Sequence, residues 1–361
     1  MKVGILGYGT IGSGILSLVQ GLPKSYGVEA VKVFDLPHKK EVLGELYTGD
    51  ADEICLAADI DVVFEAMGGD QFAHQCIVKA LTHGKSVITS NKEVVSKHFE
   101  EFFALAKENG VYFLCEASVG GGIPCIRTLE HQVQFDRVYD IYGIMNGTSN
   151  FILTRMSEGQ TFADALATAQ KLGFAEADAT ADIEGLDVLR KISILSNIAF
   201  GTRLSHEQVK HYGIGGVTPE ILADVAARGK VLKMVAQATL VGNELKVSVE
   251  PVLLNKGHLL AAVSDENNMV VYDCMSNGTI ALYGKGAGRF PTASAMIADL
   301  MDILEGNAPF EPKAAIYPTI SNFDKSKYYV VRDGEARIWD GLPADGKYTF
   351  YARIFEGGSA V

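Results

Sequence analysis

The first dozen residues constrain the fold more than any other stretch. A short apolar run at 2–6 passes directly into Gly7-Tyr8-Gly9-Thr10-Ile11-Gly12, and a helix-like stretch follows at 13–20. Strand, tight turn and helix N-terminus in that order give the GxGxxG pattern its meaning. The first glycine permits the turn, the second lets backbone approach a pyrophosphate, and the third allows the helix to pack closely on the strand. The free N–H groups of the helix entry, at Thr10 and Ile11, and the helix dipole then face the phosphates. A glycine turn of structural use alone is the alternative, but a second strand at 30–34 ends in Asp35, at the distance a ribose contact requires. Dinucleotide binding through Gly7, Gly9, Thr10, Ile11, Gly12 and Asp35 absorbs both signals. An acidic residue there accepts hydrogen bonds from the adenosine ribose and repels a 2′-phosphate, which favours NAD. Lys39 and Lys40 are near enough in sequence to serve NADP instead.

The alternation of β and α continues. A strand at 61–65 leads to a loop, Ala66-Met67-Gly68-Gly69, whose Met67 and Gly68 are expected to face the cofactor; a helix at 72–83, a strand at 86–89, a helix at 98–109 and a strand at 111–114 follow. The pattern is that of an α/β chain with an N-terminal Rossmann-type doubly wound parallel sheet over residues 1–130, binding ligands beyond the carboxyl ends of its strands. Two of those ends are chemically loaded. Lys92 follows the 86–89 strand, and Glu116 with the glycines 120–122 follows the strand at 111–114. Taken singly, Lys92 reads as a solvated lysine and the glycines as a flexible turn. Their shared position at strand ends argues for a site, in which backbone carbonyls and one carboxylate can ring a cation or hold a substrate.

Composition narrows the partners. With 361 residues and 48% hydrophobic content the chain is long enough for two cores. A net charge of −12 argues against nucleic acid and anionic membrane surfaces, which want clustered Lys and Arg, and leaves small molecules as the expected ligands. No apolar run approaches the roughly 18–20 residues of a membrane span, and the N-terminus enters a strand without the pattern of a signal peptide. Cys55, Cys76, Cys115, Cys125 and Cys274 are scattered and lack CxxC or Cys/His spacing, so they read as reduced thiols of a cytoplasmic protein.

A second concentration of chemistry lies at 173–191, GFAEADATADIEGLDVLRK. Glu176, Asp178, Asp182, Glu184 and Asp187 crowd a loop-like run, and Lys191 follows one helical turn after Asp187. If a helix begins near Gly185, the two share a face. An acidic surface loop followed by a salt-bridged helix is the plain reading. Against it, Val188, Leu189 and residues 192–195 are apolar nearly all round, which implies burial, and a buried Asp/Lys pair is expensive unless satisfied or used.

From about residue 132 the pattern changes to a mixed α+β second domain, at 131–290. Its expected strands are 133–145, 245–254, 269–275 and 278–282. The polar turn Asn146-Gly147-Thr148-Ser149-Asn150 opens a helix at 151–156 and suits either an N-cap or a carboxylate grip. The glycine turn 284–288 precedes a helix at 291–304 that is expected to pack back on the first domain. The extension 306–361 reads as strands at 327–332, 336–339 and 348–354 parted by Asp333-Gly334 and Asp345-Gly346 turns, without a derivable function.

Taken together, GYGTIG, ITSNKEVVS, EASVGGGIP, MNGTSNFIL, GFAEADATADIEGLDVLRK and GKGAGRFPTASAMIADL make residues 1–304 resemble a homoserine dehydrogenase. The resemblance implies NAD(P)-dependent interconversion of L-homoserine and L-aspartate 4-semialdehyde, a step of threonine and methionine biosynthesis. Lys191 matches the proton donor and acceptor, and Lys92 a second active-site lysine near the nicotinamide. Asp187, Asp182 and Glu176 match the acidic residues that hold the substrate, with Asp187 counted beside Lys191 in the catalytic group. Gly147 and Thr148 match the substrate-binding turn, and Gly286 with Gly288 the second cofactor contact. Glu116, with the carbonyls of Val119, Gly121 and Ile123, matches a site for a monovalent cation such as Na+. Ala179 replaces a usual proline, and Phe174 stands where some members have tyrosine. The tail is too short for an intact ACT module. A homodimer or homotetramer formed through the β-rich second domain is the expected assembly. The competing readings are a non-catalytic dinucleotide-binding sensor and a related dehydrogenase of another amino acid.

Overall fold

Short runs of β-branched and aliphatic residues become the six parallel strands of the first unit, which comprises Met1–Glu130 and Ala287–Ala314. They are β1 (Lys2–Leu6), β2 (Glu29–Phe34), β3 (Tyr47–Thr48), β4 (Val62–Glu65), β5 (Ser86–Thr89) and β6 (Phe113–Leu114), in the order β3-β2-β1-β4-β5-β6. The computed structural model describes residues 1–355; residues 356–361, the end of the predicted extension, lie outside the described residues. β4 and β5 are buried throughout, as strands of a parallel sheet covered on both faces must be. The strand order reverses between β1 and β4, which makes this the switch point where such sheets take their ligands.

Longer helices that accompany these strands include α1 (Thr10–Gly21), α2 (Gln71–Thr82), α3 (Lys92–Asn109) and α4 (Cys125–Gln132). The sequence pattern shows only the second half of α3, from 98 onward. The helix in fact starts at Lys92, because Asn91 Oδ1 accepts the amides of Glu93 (3.2 Å) and Val94 (3.3 Å) as an N-cap, and it leaves helical geometry once, at His98 (φ −119, ψ 23).

The second unit, His131–Gly286 with Ala315–Val361, is built on a ten-stranded mixed sheet. β7 (Val138–Ile144) pairs antiparallel with β9 (Lys230–Val241), and β9 pairs along its whole length with β10 (Glu244–Asn255). β7 is shorter than the expected 133–145 strand. Before it, Asp136 accepts the amides of Arg137 (2.7 Å), Ser276 (3.0 Å) and Asn277 (2.9 Å), so those groups are satisfied without a ladder. β9 escapes sequence reading because the polar residues of KVLKMVAQATLV, at 230, 233, 237 and 239, do not alternate with the apolar ones, so its periodicity does not separate strand from helix.

β8 (Lys210–His211), β13 (Thr319–Ser321) and β16 (Phe350–Ile354) share the other side of β10, and Pro251, which has no amide to donate, falls between the parts paired with β8 and β16. β11 (Asn267–Cys274) and β12 (Gly278–Lys285) extend the sheet beyond β7, while β14 (Lys327–Arg332) and β15 (Glu335–Asp340) extend it beyond β16. The 306–361 stretch thus supplies four strands of this sheet, and Tyr328, Tyr329, Phe350 and Tyr351 are buried core residues.

α5 (Gly147–Ser157) packs on α6 (Phe162–Leu172), and α7 (Leu186–Phe200) packs on β7 and β9; α8 (Pro219–Ala227) leads into β9. α9 (Arg289–Glu305) belongs to the first unit, where Ala293, Met296 and Leu300 join Ile15 and Val19 of α1 in one core. α5 begins four residues earlier than its apolar run, at Gly147, because Asn146 Oδ1 accepts the Ser149 amide (2.8 Å) and starts the helix there.

A polar network is sealed inside the sheet. Arg353 of β16 pairs with Glu250 of β10 (2.7 Å) and donates to Gln237 Oε1 (2.9 Å), while Gln237 and Thr239 of β9 donate to the fully buried Asp140 of β7 (2.9 and 2.7 Å). Burial pushes the Asp140 carboxyl up to about 7, with Asp273 adding to the rise and Arg353 opposing it. A carboxyl raised in the folded state binds its proton more tightly there than in the unfolded chain. Its ionisation therefore costs stability as pH climbs from near its unfolded value to its folded one. Asp140→Asn is expected to remove that dependence: in urea melts the parent should lose about 2 kcal/mol relative to the variant between roughly pH 5.5 and pH 8. Parallel stability profiles would contradict this assignment.

Candidate active site

In the first unit the residues expected around a dinucleotide gather at the carboxyl ends of β1, β2, β4 and β5. Gly7 adopts φ +96, and a Cβ there would stand 2.8 Å from the Ala66 carbonyl oxygen; a Cβ on Gly12 would stand 1.8 Å from the Gly7 oxygen. The turn is therefore closed to any side chain at these two positions, as a backbone cradle for phosphate requires. Gly9 and Thr10 are exposed at the entry of α1, and Gly9 caps it without a side-chain acceptor. Asp35 accepts the Tyr8 amide and its neighbour Leu36's amide (2.6 Å), so the acidic residue at the ribose position also braces the glycine turn.

Met67, Gly68 and Lys92 are held by groups that motif reading passes over. Glu65, fully buried at the end of β4, accepts the Met67 amide (2.9 Å) and the Thr89 hydroxyl (2.5 Å). Burial raises its carboxyl above the ordinary range, against the pull of those hydrogen bonds. Asn91 donates to the Gly69 carbonyl (2.7 Å) while capping α3. A charged residue closing an apolar strand, as in VVFE, is the signal that marks Glu65.

The glycine-rich loop after β6 is also in this unit. Glu116 is buried and its two oxygens accept the Ile126 (2.9 Å) and Arg127 (2.6 Å) amides, so the carboxylate serves the first turn of α4; burial nevertheless pushes it up to about 7. Val119, Gly121 and Ile123 are buried beside it in sequence, and the Ile123 carbonyl also accepts the Cys125 amide (2.7 Å).

In the second unit a lysine and two carboxylates converge. Lys191 and Asp187, one turn apart on α7, form an ion pair of 2.7 Å, and both are buried. Lys191 Nζ also donates to the Met145 carbonyl (2.6 Å). Asn146 Nδ2 donates both to Asp182 Oδ1 (2.6 Å) and to Asp187 Oδ2 (3.0 Å). Thr148 donates its hydroxyl to the Phe174 carbonyl (2.6 Å), joining the 146–150 turn to the acidic loop. Gly147 lies against Glu266, whose carbonyl oxygen a Cβ there would meet at 2.6 Å. Glu176 is exposed on that loop, and the structure does not draw it into the Asn146 cluster. Gly286 closes β12 against the side chain of Asn268, which would lie 1.9 Å from an added Cβ; Gly288 falls at the entry of α9 in the first unit.

Lys233 is a further member that sequence reading missed. It is buried on β9, donates to Asn150 Oδ1 (3.0 Å) and to the Val263 carbonyl (2.6 Å), and burial pushes its amine down to about 8. Its signal was a lysine set among the apolar residues Leu232, Met234 and Val235.

Comparison with known proteins finds relatives that cover most of the chain. The Homoserine dehydrogenase, NAD binding domain profile matches residues 7–116, and the Homoserine dehydrogenase profile matches residues 124–301. A homoserine dehydrogenase of Synechocystis sp. is 39% identical over 334 residues, which span 89% of this chain and 77% of the relative. A solved homoserine dehydrogenase from Thiobacillus denitrificans superposes with a TM-score of 0.85 at 35% identity, over 92% of this chain and 84% of that one. A hyperthermophilic archaeal homoserine dehydrogenase in complex with NADPH gives 0.73 at 28% identity, over 86% and 99%.

Asn146 does three tasks at once: it caps α5 and bridges two carboxylates. Asn146→Ala is expected to lower unfolding stability by about 1–2 kcal/mol. Its effect on kcat/KM for the amino-acid substrate should exceed its effect on cofactor affinity. A loss confined to cofactor binding, read by fluorescence titration, would refute that placement.

Proposed function

Because this chain belongs to the homoserine dehydrogenase family, the NAD(P)-dependent oxidoreductases that interconvert L-homoserine and L-aspartate 4-semialdehyde, we propose that Lys191 is its proton donor and acceptor. One observation carries the assignment. An ammonium has three donors, and among the described residues Met145 and Asp187 account for two of them, which leaves one for a substrate oxygen.

The residues at the strand ends fit NAD(P): the Gly7–Gly12 turn with Thr10 and Ile11 for the pyrophosphate, Asp35 for the ribose, and Met67, Gly68 and Lys92 toward the nicotinamide, with Gly286 as a second contact. When bound, the nicotinamide supplies hydride to C4 of the semialdehyde or takes it from homoserine. Lys191 then gives a proton to the alkoxide oxygen, or removes one from the hydroxyl in the reverse direction. Asp187 and the Met145 carbonyl orient the amine through the ion pair and the hydrogen bond they make with it. Asp182 and Glu176 are assigned to the substrate ammonium, and Gly147 with Thr148 to the turn that grips its carboxylate. Lys92, on the first turn of α3, is assigned to the nicotinamide end of the cofactor.

NAD is the proposed preference over NADP, since the Asp35 carboxylate opposes a 2′-phosphate. A monovalent cation such as Na+ is assigned to the carbonyls of Val119, Gly121 and Ile123 with Glu116; the support is a run of consecutive glycines of which Gly120 and Gly121 are buried and have positive φ. A cytoplasmic homodimer or homotetramer formed through the second unit is supported by β12, an edge strand that exposes Tyr283. No helix among the described residues is long and apolar enough to cross a membrane.

Lys191→Ala is expected to lower kcat with homoserine by about two orders of magnitude or more while leaving NAD affinity nearly unchanged; near-normal kcat would remove Lys191 from its role. Steady-state assays should give kcat/KM at least about tenfold higher with NAD than with NADP, with the gap narrowed in Asp35→Asn. Equal use of both cofactors by the parent enzyme would overturn the reading of Asp35.

A further inference from the structure

Two helices of the first unit bring together a set of side chains that the dehydrogenase chemistry does not use. His74 of α2 and His98 of α3 stand with ring centroids 4.0 Å apart. Glu101 Oε2 lies 2.8 Å from His74 Nε2 and 3.4 Å from His98 Nδ1. The other nitrogen of the second ring, His98 Nε2, is 3.0 Å from Asp70 Oδ1. We propose that His74, His98 and Glu101 form a site for a divalent transition-metal ion of the zinc, cobalt or nickel class, with Asp70 orienting His98 from behind.

The geometry has the parts such a site needs. Ligand atoms from the three residues lie within 4.8 Å of one another. A tetrahedral ion with bonds of about 2.0–2.1 Å sets its ligand atoms roughly 3.3 Å apart, so the observed 2.8 and 3.4 Å edges bracket that value. A metal-bound imidazole commonly gives its second N–H to a carboxylate, and His98 has Asp70 in that position. His98 and Glu101 are three apart on α3, hence on one face, and His98 is where that helix departs from helical geometry.

Charge favours a cation over a simple ion pair. Two imidazoles this close repel each other if both are protonated, whereas neutral rings can each offer a lone pair. Around them Asp70, Glu93 and Glu101 supply three negative charges, and Lys97, which reaches both Asp70 (2.8 Å) and Glu93 (3.3 Å), supplies one positive. Glu101 is exposed and the two rings are half-buried, so an ion can enter from solvent. A metal held here would tie α2 to α3, the helices that follow the Met67–Gly68 loop and begin at Lys92.

The test is a titration of tag-free, EDTA-stripped full-length protein with Co2+, followed by d–d absorption, and with Zn2+, followed by calorimetry. One ion per chain with a tetrahedral Co2+ spectrum is expected. His74→Asn and Glu101→Gln, both on the solvent side of folded helices, should each weaken binding by about tenfold or more, and Asp70→Asn by about tenfold. Mg2+ should not compete, because the site is nitrogen-rich. Absence of saturable Co2+ binding, or undiminished affinity in both ligand variants, overturns the proposal. Homoserine turnover by the metal-free variants reports on the dehydrogenase reading separately.

Discussion

The buried pair formed by Lys191 and Asp187 is the interaction around which the second unit's polar cluster is arranged, and it survives burial because its neighbours complete it. A carboxylate and an ammonium withdrawn from water lose several kcal/mol of hydration each, and their mutual attraction offsets this only when the remaining hydrogen-bonding groups are satisfied. Here the Met145 carbonyl takes one ammonium proton, and the Asn146 amide supports Asp187 while drawing in Asp182. The end of β7 therefore decides where the ammonium and the carboxylate of α7 can stand. Thr148 then fixes the same turn to the acidic loop through the Phe174 carbonyl.

The first unit follows the same logic with different groups. A buried carboxyl, Glu65, holds the loop after β4 and the end of β5 together, and Asn91 ties that loop to the start of α3. At the start of the glycine turn two backbone amides are likewise committed, that of Gly7 to the Phe34 carbonyl and that of Tyr8 to Asp35. In each unit the residues that a motif names are positioned by polar residues that the motif does not name, each tied to backbone amides or carbonyls. Such groups are expensive to bury unpaired, so their partners define a single arrangement.

How much of this was legible depended on whether the signal was local. The β1–turn–α1 unit and the Asp187/Lys191 spacing were readable because strand, turn and helix periods are properties of neighbouring residues. β4 and β5 were readable as apolar runs bounded by glycines or polar residues. β9 was not, since its polar residues, at 230, 233, 237 and 239, do not follow the alternation of a strand. Nor was the first half of α3, whose start depends on Asn91 and whose regularity breaks at His98. Glu65, Asn91 and Lys233 passed unmarked as site residues because each acts through a partner distant in sequence, and Asn146 was legible only as a member of its polar turn, not as the bridge between Asp182 and Asp187.

The tail shows the division most clearly. Its hairpin turns and strand-like composition were visible in the chain, but not its destination. That was decided by β10, whose second side is divided among β8, β13 and β16, and by the buried Arg353–Glu250 pair that anchors β16 there. By itself the sequence determined the α/β class, the dinucleotide turn, and a carboxylate and an amine on one helical face, because these follow from covalent spacing and the geometry of a single turn. Only the tertiary structure decided which carbonyl and which amide complete that pair and which strands the last fifty residues join. Those choices depend on hydrogen-bond partners far apart along the chain, and on groups whose burial has a cost until they are found.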